Sequence, residues 1–178
     1  MKTLNDNFIV KEYEDIKVVD NFFTEECLNI LKIRVLYSKF VDHRYDNYLS
    51  IDYFPKQDYL TDLITDEISK KFKVPEFQRG WSFLYLQNSN GVRMHADPSI
   101  VNLNVWVSSD ESINDTEKNG LNIYRILPPP NWTRQDWNND PDKARKYITS
   151  NNVKPLKIKY KSNRAVFFNG AYFHETNQ

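Results

Sequence analysis

Three histidines occur in the chain, His43, His95 and His174, and one of them opens the tripeptide His95-Ala96-Asp97. In an extended segment residues i and i+2 project to the same side, so an H-x-D step sets an imidazole beside a carboxylate. Two histidines and one carboxylate on one side of an ion, with open positions opposite, are the ligand set of non-haem Fe(II) sites. The third ligand must then come from a distant strand, and His174, closing the apolar run RAVFFNGAYFH, meets that requirement. His95, Asp97 and His174 are thus the candidate metal ligands and catalytic residues. A plainer alternative stays open, in which His95 caps a turn and Asp97-Pro98 begins a loop, as Asp-Pro commonly does. His43, in VDHRYDNY, has no partner motif and reads as a surface residue.

The elements that must hold these residues are legible from periodicity. WSFLYL (81–86) reads as a strand by its aromatic and apolar density. IVNLNVWV (100–107) alternates, with Val101, Leu103, Val105 and Val107 on one face and Asn102, Asn104 and Trp106 on the other. GLNIYRI (120–126), VKPLKIKYK (153–161) and RAVFFN (164–169) complete five strands, which suggests a sandwich or barrel. The first half carries IKVVD (16–20) as a short strand and two amphipathic helices. FFTEECLNILKIRVLYSKF has Thr24 as N-cap and a stripe of Leu28, Leu31 and Val35, and 57–73 carries Leu60, Leu63, Ile64 and Ile68. Two connections are long: the acidic 108–119, and 127–152, where Asp140-Pro141 predicts a helix over 141–149. Trp132 and Trp137 read as pins that fix the second insertion to the core, and Cys27 as a small core residue.

Composition narrows the function classes. Hydrophobic residues make up 40% and aromatics 15%, enough for a core, which excludes a disordered chain. Lys plus Arg number 24 and Asp plus Glu 24, and this zero balance argues against a nucleic-acid partner. A single cysteine excludes an intrachain disulfide framework and Cys-rich zinc modules, and points to a reducing, intracellular setting. The N-terminal MKTLNDNFIV lacks the apolar stretch of a signal peptide, and no run reaches the roughly 18 apolar residues of a membrane span, so a soluble, cytoplasmic protein without a membrane partner is expected. Oligomeric state is not readable.

In its second half the chain resembles the 2-oxoglutarate/Fe(II)-dependent dioxygenases, most closely the small bacterial and phage-type members with prolyl-hydroxylase-like cores. The residues that carry the resemblance, over about 80–178, are Tyr85 on the strand before the motif, His95-Ala96-Asp97, the NLNVWV strand, GLNIY, and NRAVFFN followed by FHET. It implies a mainly β fold, a double-stranded β-helix (jelly roll) core with N-terminal flanking helices, in one domain over 1–178 with 1–79 as support. It implies Fe(II) held by His95, Asp97 and His174, and 2-oxoglutarate as cosubstrate, contacted by Tyr85 and Asn104. The activity implied is an oxygenase, a hydroxylase that uses O2 and releases succinate and CO2, acting on a small-molecule or peptide substrate of unknown identity.

The chain departs from the family at its end. Members carry an Arg or Lys about ten residues past the distal histidine, facing the far carboxylate of 2-oxoglutarate, whereas this sequence stops at Gln178 and the core is expected to lack its last strand. Arg164 is the candidate substitute, with Arg93 and Arg125 beside it, because a guanidinium grips a carboxylate with two prongs. Two rivals stay open: a non-enzymatic or cupin-like metal-binding jelly roll, and an interaction domain. The latter would use the basic stretch 143–164, whose Lys143, Arg145, Lys146, Lys154, Lys157, Lys159, Lys161 and Arg164 stand with no acidic residue among them.

Overall fold

The computed structural model describes residues 1–38, 41–44, 48–85, 91–113, 115 and 118–177. In chain order the elements are β1 (Ile9–Tyr13), β2 (Ile16–Asp20), α1 (Glu25–Leu36), β3 (His43–Arg44), β4 (Tyr48–Tyr53), α2 (Tyr59–Phe72), β5 (Gly80–Tyr85), β6 (Asn102–Trp106), a 3-10 turn (Asp110–Ser112), β7 (Gly120–Tyr124), α3 (Arg134–Asn138), α4 (Pro141–Ser150), β8 (Leu156–Lys159), β9 (Arg164–Phe168) and β10 (Phe173–Asn177). The last residue of the strand expected over 81–86, and residues 114, 116 and 117 of the acidic connection, lie outside the described residues. The architecture is mixed α/β with three small antiparallel sheets, rather than mainly β. Among the described residues no strand is longer than six residues, and α3 and α4 have ten residues or fewer. None of the helices among the described residues is long and apolar enough to cross a membrane.

The chain divides into two compact units, residues 1–10 with 19–89, and residues 11–18 with 90–178. In the first, Thr24 caps α1 by accepting from the Cys27 amide, and Glu25 and Glu26 sit in the first turn, where the helix dipole favours negative charge. Cys27 and Leu28 are buried, while Leu31 and Val35 are half-buried. Asp58 caps α2 through the amides of Leu60 and Thr61, and Ile64 and Ile68, one turn apart, form the buried stripe. Of the sheet β3-β4-β5 the sequence predicts only β5, because in β4 the polar Ser50 and Asp52 interrupt the apolar run. The N-terminus is tied to α2 by Glu67, whose carboxylate accepts from the amides of Thr3 and Leu4 and from the Thr3 hydroxyl.

The second unit holds most of one sheet, with residues 11–13 of β1 and 16–18 of β2, and the whole of another. One has the order β1-β2-β9-β6, the other β10-β7-β8. A single apolar cluster joins them, with Ile16, Val18, Val166 and Phe168 from the first and Leu121, Ile123 and Ile158 from the second. Every residue of β7 is buried, since Leu121 and Ile123 face the other sheet while Tyr124 faces a second cluster with Ala144 and Ile148 of α4. A strand covered on both faces loses the clean alternation that marks a half-exposed one. The helix α4 begins at Pro141 behind Asp140, which accepts from the Lys143 amide as expected. Trp132 and Trp137 pack against the same second cluster, so the long insertion is pinned as expected. An isolated bridge between His95 and His174 adds the segment at His95 to the outer side of β10.

Candidate metal centre

The two histidines meet because their backbones pair. His95 N–H donates to the His174 carbonyl at 3.0 Å and His174 N–H donates to the His95 carbonyl at 2.8 Å. The residues that follow are held as firmly. The Ala96 amide donates to the Trp137 carbonyl at 2.9 Å, the Ala96 carbonyl accepts from the Asn138 side-chain amide at 2.8 Å, and the Asp97 amide donates to the Gly170 carbonyl at 2.8 Å. Met94 and Ala96 point into the cluster beneath α4, so His95 and Asp97, alternating with them, project to the other side. The pinned insertion thus fixes the backbone between the two ligands.

Each imidazole is also fixed in orientation. Nδ1 of His95 lies 2.8 Å from the Arg93 carbonyl, and Nδ1 of His174 lies 2.8 Å from the Tyr172 carbonyl. A carbonyl only accepts, so each neutral ring carries its proton on Nδ1 and leaves the Nε2 lone pair open, the arrangement in which a histidine serves as a metal ligand. The rings stand 4.2 Å apart by centroid, and His174 also packs edge-on against Phe168 at 4.9 Å. Nε2 of His95 is 3.8 Å from Asp97 Oδ1, and Nε2 of His174 is 3.5 Å from Asp97 Oδ2.

These spacings suit a small divalent ion. The three donor atoms lie within 4.8 Å of one another. Donors about 2.1 Å from one ion and 90–110° apart are separated by about 3.0–3.4 Å. Contraction of the donor set, by up to about 1.5 Å at its widest, would bring the side chains onto a metal. Electrostatics agree. Burial, with His174 adding to it, pulls the His95 imidazole down to about 4, against the opposing effect of Asp97 and the Arg93 carbonyl. Burial pushes the Asp97 carboxyl upward, but the imidazoles of His174 and His95 in their protonated forms, together with the Asn102 hydrogen bond, outweigh it and hold the group below the usual carboxylate range. At neutral pH the site therefore offers an unprotonated imidazole and a carboxylate, the forms that bind metals.

The remaining candidates are placed as follows. Asn104 stands on β6 between Asn102 and Trp106, half-buried, on the face turned toward the other sheet, since its partner across the ladder, Val166, and its face neighbour Trp106 belong to the shared cluster. Tyr85 ends β5 in the first unit, opposite Tyr48 and 42% exposed, with its ring 5.9 Å from Tyr48 and 6.1 Å from Phe83. Arg164 sits at the far end of β9 from Phe168, and its guanidinium donates to the Lys159 carbonyl at 2.8 Å. Arg125 is paired with Glu14. Arg93 is exposed and, two residues before His95, falls on the same side of the segment. In the basic stretch, Lys143 pairs with Asp136 at 2.5 Å and Arg145 with Glu175 at 2.8 Å, so part of that charge is spent within the fold.

Four residues that shape the site escape sequence reasoning: Asn138, which holds Ala96, and Ser99, Asn102 and Gly170, which surround Asp97. Only Asn102 carried a signal, as a polar residue alternating into a face that also holds Trp106. Comparison of the chain with protein-family models, with curated proteins and with solved structures finds no match, so the chemistry of the site rests on its own geometry.

Proposed function

We propose that the protein is an Fe(II)- and 2-oxoglutarate-dependent oxygenase, a hydroxylase, whose second unit is a double-stranded β-helix with the His95 segment as a further strand beside β10. The observation that carries this reading is the convergence of His95 Nε2, His174 Nε2 and the Asp97 carboxylate, each imidazole turned outward by a carbonyl on its Nδ1. Two histidines and one carboxylate occupy three positions of an octahedral ion and leave three for other ligands. Bound there, Fe(II) supplies the redox chemistry that couples oxidation of 2-oxoglutarate to succinate and CO2 with hydroxylation of a substrate C–H bond by O2.

The chain's own residues hold, orient and shield. Paired backbones at His95 and His174 preorganise the ligands. Asn104 offers a polar group on the inward face of β6. Phe168, buried against His174, keeps water from one side of the imidazole. Among the three guanidinium candidates for the far carboxylate, Arg125 and Arg164 are engaged elsewhere, and Arg93, on the His95 side of its segment, fits the role best. No side-chain general base is required.

The test is an anaerobic titration of metal-free protein with Fe(II) and then 2-oxoglutarate, read by the weak visible charge-transfer band of the chelated keto acid, with His174→Ala as control. A band lost in the control supports the assignment. Metal binding with no band favours the cupin-like reading, and no metal binding in the wild type refutes the enzyme.

A further inference from the structure

We propose that Asn102 is a positioning residue that acts through Asp97: its side-chain amide holds one carboxylate oxygen and thereby fixes the orientation of the carboxylate against His95 and His174 for a cation. This rests on the metal reading of the triad. Asn102 Nδ2 lies 2.6 Å from Asp97 Oδ2, and both side chains are largely shielded from water. The orientation of the amide is forced. A carboxylate only accepts, so the amide must turn its NH2 toward Asp97 and its oxygen the other way. That oxygen meets the Ser99 hydroxyl, which donates to it.

The pair is enclosed by Gly170, whose carbonyl takes the Asp97 N–H. A Cβ at position 170 would come within 1.9 Å of Ser99 Oγ and 2.6 Å of Asn102 Oδ1. Only glycine leaves room for the Ser99–Asn102 contact. The register supports the arrangement, because Asn102 stands opposite Phe168, two residues before Gly170. Backbone and side chain of Asp97 are thus fixed from two directions, with Oδ1 3.8 Å from His95 Nε2 and the Asn102-bound Oδ2 3.5 Å from His174 Nε2. With both oxygens loose, a carboxylate can swing or bind through both, which changes the coordination number and weakens a site built for one oxygen. Removal of such an outer partner costs about 10–100-fold in metal affinity.

The test is anaerobic titration of metal-free protein with Co(II), which reports both affinity and, through its visible bands, coordination geometry. Wild type, Asn102→Ala, Ser99→Ala and Gly170→Ala would be compared, with thermal melting of each metal-free form. The expected result is a Co(II) Kd about 10–100-fold weaker in Asn102→Ala, with altered band shape, a smaller loss in Ser99→Ala, and Gly170→Ala behaving like Asn102→Ala. Wild-type affinity and bands in Asn102→Ala would overturn the proposal. So would a weaker affinity with unchanged bands that merely follows a loss of melting temperature, since that is a structural role. If Asn102→Ala fails to fold, Ser99→Ala decides, and wild-type behaviour there overturns the inference. Wild-type protein that binds no Co(II) removes the metal reading and this proposal together. Wild-type binding with an indifferent Asn102 removes only the latter.

Discussion

The His95 imidazole should govern the acid stability of the metal-free protein. Its side chain is only 16% exposed, and burial together with His174 lowers it to about 4. The same group in an unfolded chain titrates near 6.5. Between these values the unfolded chain holds a proton that the folded chain does not, so falling pH favours unfolding. The contribution is whole above pH 6.5, declines on the way down and is gone below about 4. A gap of roughly 2.5 pH units, at about 1.4 kcal/mol each, corresponds to about 3 kcal/mol. That is a large share of the 5–15 kcal/mol by which domains of this size are stable. Urea denaturation of metal-free protein, stepped from pH 7.5 to 4.5, would measure it. The wild type should lose about 2–3 kcal/mol over this range, and His95→Asn, which cannot titrate there, should show a markedly flatter dependence. Equal slopes for the two proteins would refute the linkage and, with it, the view that the site holds a neutral imidazole ready for a metal.

Three further outcomes follow from named contacts. Asn138→Ala removes the donor to the Ala96 carbonyl and should destabilise by about 1 kcal/mol in denaturant while weakening Co(II) binding several-fold; unchanged metal affinity would show that α3 does not brace the ligands. Trp132→Ala should cost about 2–3 kcal/mol, below the range for a fully buried Trp because it is half-buried, and should expose 127–152 to limited proteolysis before the rest of the chain. Glu67 is held below the usual carboxylate range: burial raises it, but the hydroxyl and amide of Thr3, the Leu4 amide and the charge of Lys2 outweigh that. Its contribution should be present above about pH 4.5 and lost as pH falls through its lowered value, so Glu67→Gln should flatten the acid limb of wild-type denaturation.

The parts of the fold that follow from local rules were legible in the sequence. Asp140-Pro141 marked the start of α4, Thr24 the start of α1, and alternation marked β6 and β8. What escaped was set by tertiary context. β1 is a short strand exposed along its whole length and β4 a short, mostly half-buried one, and their charged and polar residues dilute any alternation. The expectation of a mainly β chain undercounted what α3 and α4 cover, since their apolar faces are needed to bury the outer side of β7 and β10. At the site, the spacing H-x-D and a distant histidine named the three ligands, because ligand chemistry restricts the residue types. Asn138, Ser99 and Gly170 had no such restriction. Any donor, any hydroxyl and any small residue would read the same until the folded chain shows what each must fit against.

The geometry also explains why the ligands are divided as they are between the sheets of the second unit. His95 and His174 belong to the ladder that continues from β10, while Asp97 is steadied by Asn102 of β6, in the other sheet. Phe168 of β9 touches His174, so the two sheets already meet apolar-to-aromatic at the same place. An ion held by all three side chains would therefore tie one sheet to the other beside the shared apolar cluster. Hydrophobic contact holds the sheets together over Ile16, Leu121, Ile123 and Val166 without fixing their position to a fraction of an ångström. The backbone bridge at His95, the Ala96 contacts to α3 and the Asn102 contact to Asp97 supply that finer positioning before any ion arrives. Binding free energy is then not spent on ordering the ligands.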